Sequence, residues 1–342
     1  MMSVIKKVCI PVMVLAALLV IPGGVFAKTA NTRTFELTYS VSVKDVPQNA
    51  STLDMWIPYP TSDEDQNIIG VNIESPYPVA INHDPEYGNS ALFLTIKNPP
   101  AKGFTVKATY KVKRSELLTP KMNYSKESPI DNNEDFAKWL EPGKYAVMNE
   151  AVKRFAEEAT AGRVGTLDKA RGIYEFILSK MDYNKQIPGW GKGDVNRVCL
   201  AIDGGETGTG NCTDFHSLFA SMMRSQGIPV KFEMGYPLTP GANQTELKKG
   251  GYHCWAKFYV AGMGWIPVDI SEARKDISRK EYFWGSICEN RIKFSEGRDI
   301  TLPMQQSSKK LNYFGPDPYI EIDGKPFDGF ERFIAYSDIP EA

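Results

Sequence analysis

Gly210-Asn211-Cys212-Thr213-Asp214-Phe215-His216 sets a cysteine between a glycine-rich run and a helical pattern. Phe215, Leu218, Phe219, Met222 and Met223 recur at i, i+3, i+4, i+7 and i+8, which predicts a helix with one buried face. Gly227 closes the pattern and Pro229 blocks its continuation. Cys212 therefore falls at a helix N-terminus. Unpaired backbone N–H groups and the positive end of the helix dipole there favour a thiolate over a thiol. Asp214, in the first turn, is expected to satisfy backbone donors rather than to do chemistry.

Upstream lie two glycine clusters, one at Gly189, Gly191 and Gly193, the other at Gly204, Gly205, Gly208 and Gly210. Neither has the pattern of a phosphate loop or a dinucleotide fingerprint. Flanking a candidate nucleophile, they suit close backbone approach by an extended substrate. Downstream, residues 230–235 read as a strand and 237–251 as a polar loop. Over 252–260, His253, Trp255, Lys257 and Tyr259 alternate with Tyr252, Cys254, Ala256, Phe258 and Val260, the period of a strand. Ala261-Gly262-Met263-Gly264 turns the chain, and 265–270 returns as a second strand carrying Val268-Asp269.

A cysteine nucleophile needs a base, and the chain has only 3 histidines. His83 stands among turn residues and reads as a surface side chain. His216 lies a full turn beyond Cys212 on the same helix, a packing or hydrogen-bonding position. His253 is the expected base and Asp269 its orienting carboxylate. A three-residue loop at 261–263 would set Val260 opposite Gly264 and bring Asp269 to the face of His253, one diagonal step away. A four-residue loop would turn Asp269 to the other face.

In the order Cys, His, Asp and in these contexts, the chain resembles the transglutaminase-like superfamily of papain-type folds. The residues that carry the likeness are 210–216, Gly227-Ile228-Pro229-Val230, Tyr252-His253-Cys254-Trp255 and Gly264-Trp265-Ile266-Pro267-Val268-Asp269. Asn290-Arg291, Gly297-Arg298-Asp299 and Leu311-Asn312-Tyr313 add a likeness to a bacterial exported subset. The resemblance implies that Cys212 is the nucleophile, His253 the general base and acid, and Asp269 the residue that holds the imidazole. It implies acyl transfer through a thioester resolved by water or an amine, with the Cys212 N–H in an oxyanion hole. Trp190, Gln186 and Tyr183 are the upstream candidates for a second donor. The substrate class is protein or peptide amide bonds, with hydrolysis the leading reading. Glutamine-specific cross-linking and a non-catalytic interaction module of the same fold are the alternatives. No cofactor is expected. Calcium-loop spacing is absent, and no Cys-x-x-Cys or His-x-x-x-His pair points to zinc.

The N-terminal half reads differently. Phe35, Leu37, Tyr39, Val41 and Val43 alternate with polar residues, and 53–57, 68–73, 91–96 and 104–112 follow as shorter strands. Strands at short intervals with no helix between them predict an antiparallel β-sandwich. The expected architecture is thus α+β: a leader at 1–27, an N-terminal sandwich at 28–120, and a papain/transglutaminase-like catalytic domain at 121–342 with a C-terminal β extension. Helices are expected over 145–159 and 166–180, and a polar, proline-containing tail at the end. In the leader, Lys6 and Lys7 precede an apolar run of 14 residues, short of the roughly 20 that span a bilayer, and Val25-Phe26-Ala27 suits cleavage. Export to a periplasm or beyond follows, with no membrane span after cleavage. A net charge of −1 with no basic block leaves nucleic acid without an electrostatic footprint. After cleavage Cys199, Cys212, Cys254 and Cys288 remain, and four cysteines allow three pairings. Strand alternation turns Cys254 away from His253, toward the core or a bridge to Cys199 or Cys288.

Overall fold

Alternating apolar residues build two stacked antiparallel sheets. The computed structural model describes residues 30–119, 122, 136–247 and 251–340, so the expected leader lies outside the described residues. In the first sheet the strand Thr32–Val43 sits between Phe104–Ser115 and Phe330–Asp338, with Gln66–Glu74 and Gln244–Leu247 at the edges. In the second, Thr52–Tyr59 lies between Tyr319–Ile322 and Ser90–Lys97. Phe35, Leu37, Tyr39 and Val41 pack with Leu53, Met55 and Ile57 in one buried core. That core runs on into Tyr236, Ile292 and Phe294, so the sandwich is packed directly onto the sheet that holds Val230–Pro237 and Arg291–Glu296.

Two strands of the first sheet come from unexpected places. The tail, read as polar, forms Phe330–Asp338 and pairs with Thr32–Val43 in register from Phe35↔Asp338 to Val43↔Phe330. The C-terminal extension therefore completes the sandwich. Its inward face carries Arg332 between Phe330 and Ile334, and this buried charge, paired with Asp317 at 2.6 Å, interrupts the apolar alternation. Gln244–Leu247, inside the expected polar loop, gains strand geometry only by pairing with Ile334–Ser337.

The remaining sheet orders Gly264–Val268, His253–Val260, Val230–Pro237 and Arg291–Glu296. A bulge between Met234 and Gly235 lets the last two strands approach so closely that a Cβ on Gly235 would lie 1.8 Å from the Ile292 carbonyl oxygen. One face of this sheet receives the helix Cys212–Ser225, which also packs against Glu150–Thr160, Thr166–Lys180 and Val195–Asp203. Enclosed on every side, this helix is buried continuously from Cys212 to Met223, not along one face as its periodicity predicted. Its polar residues survive burial because they are paired, as described below. The helix expected from 145 starts only at Glu150, where Asn149 accepts the Val152 N–H. Val195–Asp203, between the two glycine clusters, is capped by Asp194 and was not foreseen. Among the described residues no helix is long and apolar enough to cross a membrane.

Candidate active site

Asn211 and Asp214 build the start of the Cys212 helix. The Asn211 side chain accepts the Thr213 N–H at 3.0 Å, and Asp214 Oδ2 accepts the Asn211 N–H at 2.9 Å, a reciprocal capping box. Asp214 does more than cap. It also accepts the N–H groups of Gly191 at 2.7 Å and Gly193 at 3.2 Å, tying the upstream glycine loop to the helix. Both glycines have positive φ (80° and 65°), a region other residues enter at a cost. Asp214→Ala would strand several buried donors. We expect a loss on the order of 3 kcal/mol in urea denaturation, and an undiminished midpoint would remove this role.

Val260 pairs with Gly264 and Ala256 with Val268, the three-residue-loop register. Asp269 follows directly and caps the helix Ile270–Lys275 by accepting the Glu272 N–H at 3.1 Å. His253 Nε2 donates to Asp269 Oδ2 at 2.7 Å, and both side chains are buried. With Nε2 engaged, Nδ1 is the ring nitrogen left for a thiol. Burial works against ionising Cys212, but hydrogen bonds from Cys254 and His253 and the charge of His253 outweigh it, holding the thiol well below its ordinary pKa. Burial likewise disfavours the imidazolium of His253. The Asp269 charge and hydrogen bond, joined by those of Cys212, overcome it and raise the pKa to about 9. Both shifts favour a thiolate–imidazolium ion pair.

His216 sits where the sequence placed it, but its task is specific. Its Nδ1 donates to the Cys212 carbonyl at 2.8 Å, and its Nε2 accepts the Ile270 N–H at 3.1 Å. That pattern fixes the neutral tautomer, and burial lowers its pKa to match. His216 links the Cys212 helix to the Asp269 turn.

Cys254 departs from expectation. It is not bridged to Cys199 or Cys288; all four described cysteines are free thiols. It does point to the opposite face from His253, yet both reach Cys212, because the helix N-terminus meets the very start of their strand. Cys254, Phe232 and Met234 line the Cys212 thiol on its inner side, with Tyr252 and Tyr313 beside them. Burial and the adjacent Cys212 keep the Cys254 thiol protonated well above its usual range, so it can donate to the Cys212 sulfur. Cys199 lies elsewhere in the helical core, its thiol pushed up to about 12 by burial.

Arg298 anchors the helix from the side, donating to Ser217 Oγ, to the Lys192 carbonyl at 2.8 Å and to Asn312 Oδ1 at 3.0 Å. It tethers the helix to the two loops that carry Lys192 and Asn312. Of the upstream aromatic residues, Tyr183 stacks near Phe215 at 6.3 Å, while Trp190 is partly exposed under Lys185. Among the described residues no cluster of three or more His, Cys, Asp or Glu could hold a metal ion.

The chain is similar to several known proteins. An uncharacterised protein of Haemophilus influenzae is 27% identical over a 331-residue alignment that takes in 87% of each chain. The crystal structure of a candidate cysteine protease from Cytophaga hutchinsonii superposes with a TM-score of 0.54 at 16% identity, covering 90% of this chain and 98% of that one. The periplasmic domain of TgpA from Pseudomonas aeruginosa gives a TM-score of 0.35 at 14% identity, covering 72% of this chain and 93% of that one. Residues 153–270, which contain Cys212, His253 and Asp269, match the transglutaminase-like superfamily model. In this core domain the chain is similar to the transglutaminase-like superfamily.

Proposed function

We propose that the protein is an exported thiol enzyme that cleaves amide bonds of proteins or peptides through a thioester on Cys212. One observation carries the reading: a buried thiol held below its ordinary pKa by an imidazole whose far nitrogen is fixed by Asp269 at 2.7 Å. In the first half-reaction the thiolate attacks the amide carbonyl, and the Cys212 N–H at the helix start stabilises the oxyanion. The His253 imidazolium gives its proton to the leaving amine as the C–N bond breaks. In the second half, neutral His253 takes a proton from water, which adds to the thioester. Collapse releases the acid and restores the thiolate and imidazolium. The leader read at residues 1–27 supports export.

The test offers a glutamine-containing peptide with and without a labelled primary amine, beside an unstructured protein such as casein. Casein cleavage or ammonia release without amine incorporation is the expected result. Incorporation of the amine would overturn hydrolysis in favour of cross-linking. Alkylation of Cys212 no faster than a free model thiol would instead favour a non-catalytic module.

A further inference from the structure

Arg291 has no part in the reaction as written above, yet it is placed against the reacting groups. It opens the strand Arg291–Glu296 and is 2% exposed. Its Nη1 donates at 2.9 Å to Asp269 Oδ2, the same oxygen that receives His253 Nε2. Its guanidinium lies 4.7 Å from the Trp255 ring centroid, and Nη2 reaches Cys288 Sγ at 3.5 Å. Its Nε is buried without a partner. The buried Arg114–Asp65 ion pair takes both carboxylate oxygens in a fork. Arg291 instead takes one and shares it with the imidazole.

We propose that Arg291 is a positioning residue that balances the charge of the Cys212–His253–Asp269 site and sets the pH range over which the thiolate–imidazolium pair exists. The proposal rests on the ion-pair reading above. In that pair Cys212 is an anion, His253 a cation and Asp269 an anion, a buried set one negative charge in excess. Arg291 brings the sum to zero. Without it the site would relieve the excess by holding one more proton, on either Cys212 or His253. Both ionisations would then move to higher pH. Sharing Oδ2 also leaves Asp269 less negative toward His253 and limits how far the imidazolium is stabilised.

The other titratable groups around the site do not supply this positive charge. From the Cys212 helix comes His216, neutral and bonded at both nitrogens. From its own strand His253 is flanked by the protonated Cys254, and Glu272 approaches from the helix after Asp269, at 3.9 Å from Nε2. Tyr174 and Tyr183 face Asp269 as neutral phenols, burial raising both. Glu233 is occupied by Trp255 Nε1, and Cys288 borders Arg291 itself. Among the described residues, Arg291 is the cation besides His253 in contact with Asp269.

The test is the pH dependence of Cys212 alkylation by iodoacetamide, followed at that residue by peptide mass spectrometry. The wild-type profile is expected to carry two inflections, one where Cys212 ionises and one where His253 loses its proton. In Arg291→Met both should move upward by about one pH unit or more. Arg291→Lys, which keeps the charge, should return them toward wild type. Arg291→Gln is neutral but keeps a hydrogen bond to Asp269, and serves if the methionine variant does not fold. Unmoved inflections in the neutral variants, with only stability lost, would overturn the proposal and leave the thiol-enzyme reading standing. A single, ordinary thiol inflection in the wild type would overturn that reading itself.

Discussion

Replacing His253 by alanine is expected to take Cys212 out of its thiolate form at mildly acidic pH. The helix N-terminus and Cys254 remain in the variant, but the imidazolium charge and hydrogen bond are gone, and burial raises the thiol. An ordinary thiol of pKa about 8.5 is ionised to only about 0.3% at pH 6. The thiolate population there should fall by up to roughly 300-fold, the limit set by a fully ionised thiol. The measurement is the thiolate ultraviolet absorbance at pH 6 against a Cys212→Ser reference. Absorbance equal to wild type would show that the helix dipole alone ionises the thiol, and His253 would lose its role. The upper side of the pH range has the opposite cause. Turnover should fall as pH rises through about 9, where His253 gives up the proton that the proposed reaction has it deliver to the leaving amine. Stability follows the same groups with opposite signs. His253, raised from 6.5 to about 9, contributes fully below 6.5 and loses its contribution as pH rises through about 9. Cys212, depressed, contributes above the ordinary thiol range and loses that contribution as pH falls through its folded value.

Asp269 is the second position where a single change should be severe. Its Oδ2 receives His253 and Arg291, and its Oδ1 receives Ser271 Oγ and the Glu272 N–H, both at 3.1 Å. Asp269→Ala would leave Arg291 buried without a counter-charge, at a cost of about 3–5 kcal/mol. Asp269→Asn keeps the shape and is the better kinetic probe. It should lower turnover by a factor on the order of 10³ or more, because His253 loses both its orientation and the anion that stabilises its imidazolium. Burial raises the Asp269 pKa, but His253 and Arg291 outweigh it and hold the carboxyl well below the usual carboxylate range. Its contribution to stability is therefore present above the ordinary carboxylate pKa of about 3.9 and lost as pH falls through the folded value. Urea denaturation should show a wide gap between wild type and Asp269→Ala at pH 7 that narrows in strong acid. A gap that stays constant with pH would mean that packing, and not charge, is what Asp269 supplies.

Much of the site was legible because its signals are local. A helix start is written in Asn211, Asp214 and the spacing of Phe215, Leu218 and Phe219. A hairpin is written in the alternation of 252–260 and the turn at 261–264. With so few histidines, the choice of base was short. Two sandwich strands were not legible. Phe330–Asp338 puts Arg332 on its inward face, and Gln244–Leu247 has no apolar face of its own. Both acquire their conformation from a neighbour far away in sequence. Arg291 appeared in sequence only as part of a likeness, since nothing local says that a strand-opening arginine will meet a carboxylate 22 residues earlier.

The sequence by itself determined the order of the chemistry: a thiol at a helix N-terminus, an imidazole at a strand start, a carboxylate at the end of the returning strand. Local periodicity and turn length are enough for that, because each is set by neighbours within a few residues. The tertiary structure decided which of the two hairpin registers held, and with it whether Asp269 reaches His253. It also decided that Cys254 lies against Cys212 although strand alternation turns it from His253, since alternation describes faces and says nothing of what stands at a strand's end. And it brought Arg291 onto the His253-bound oxygen of Asp269. Electrostatics in a buried site depends on distance through space, and only packing sets that distance.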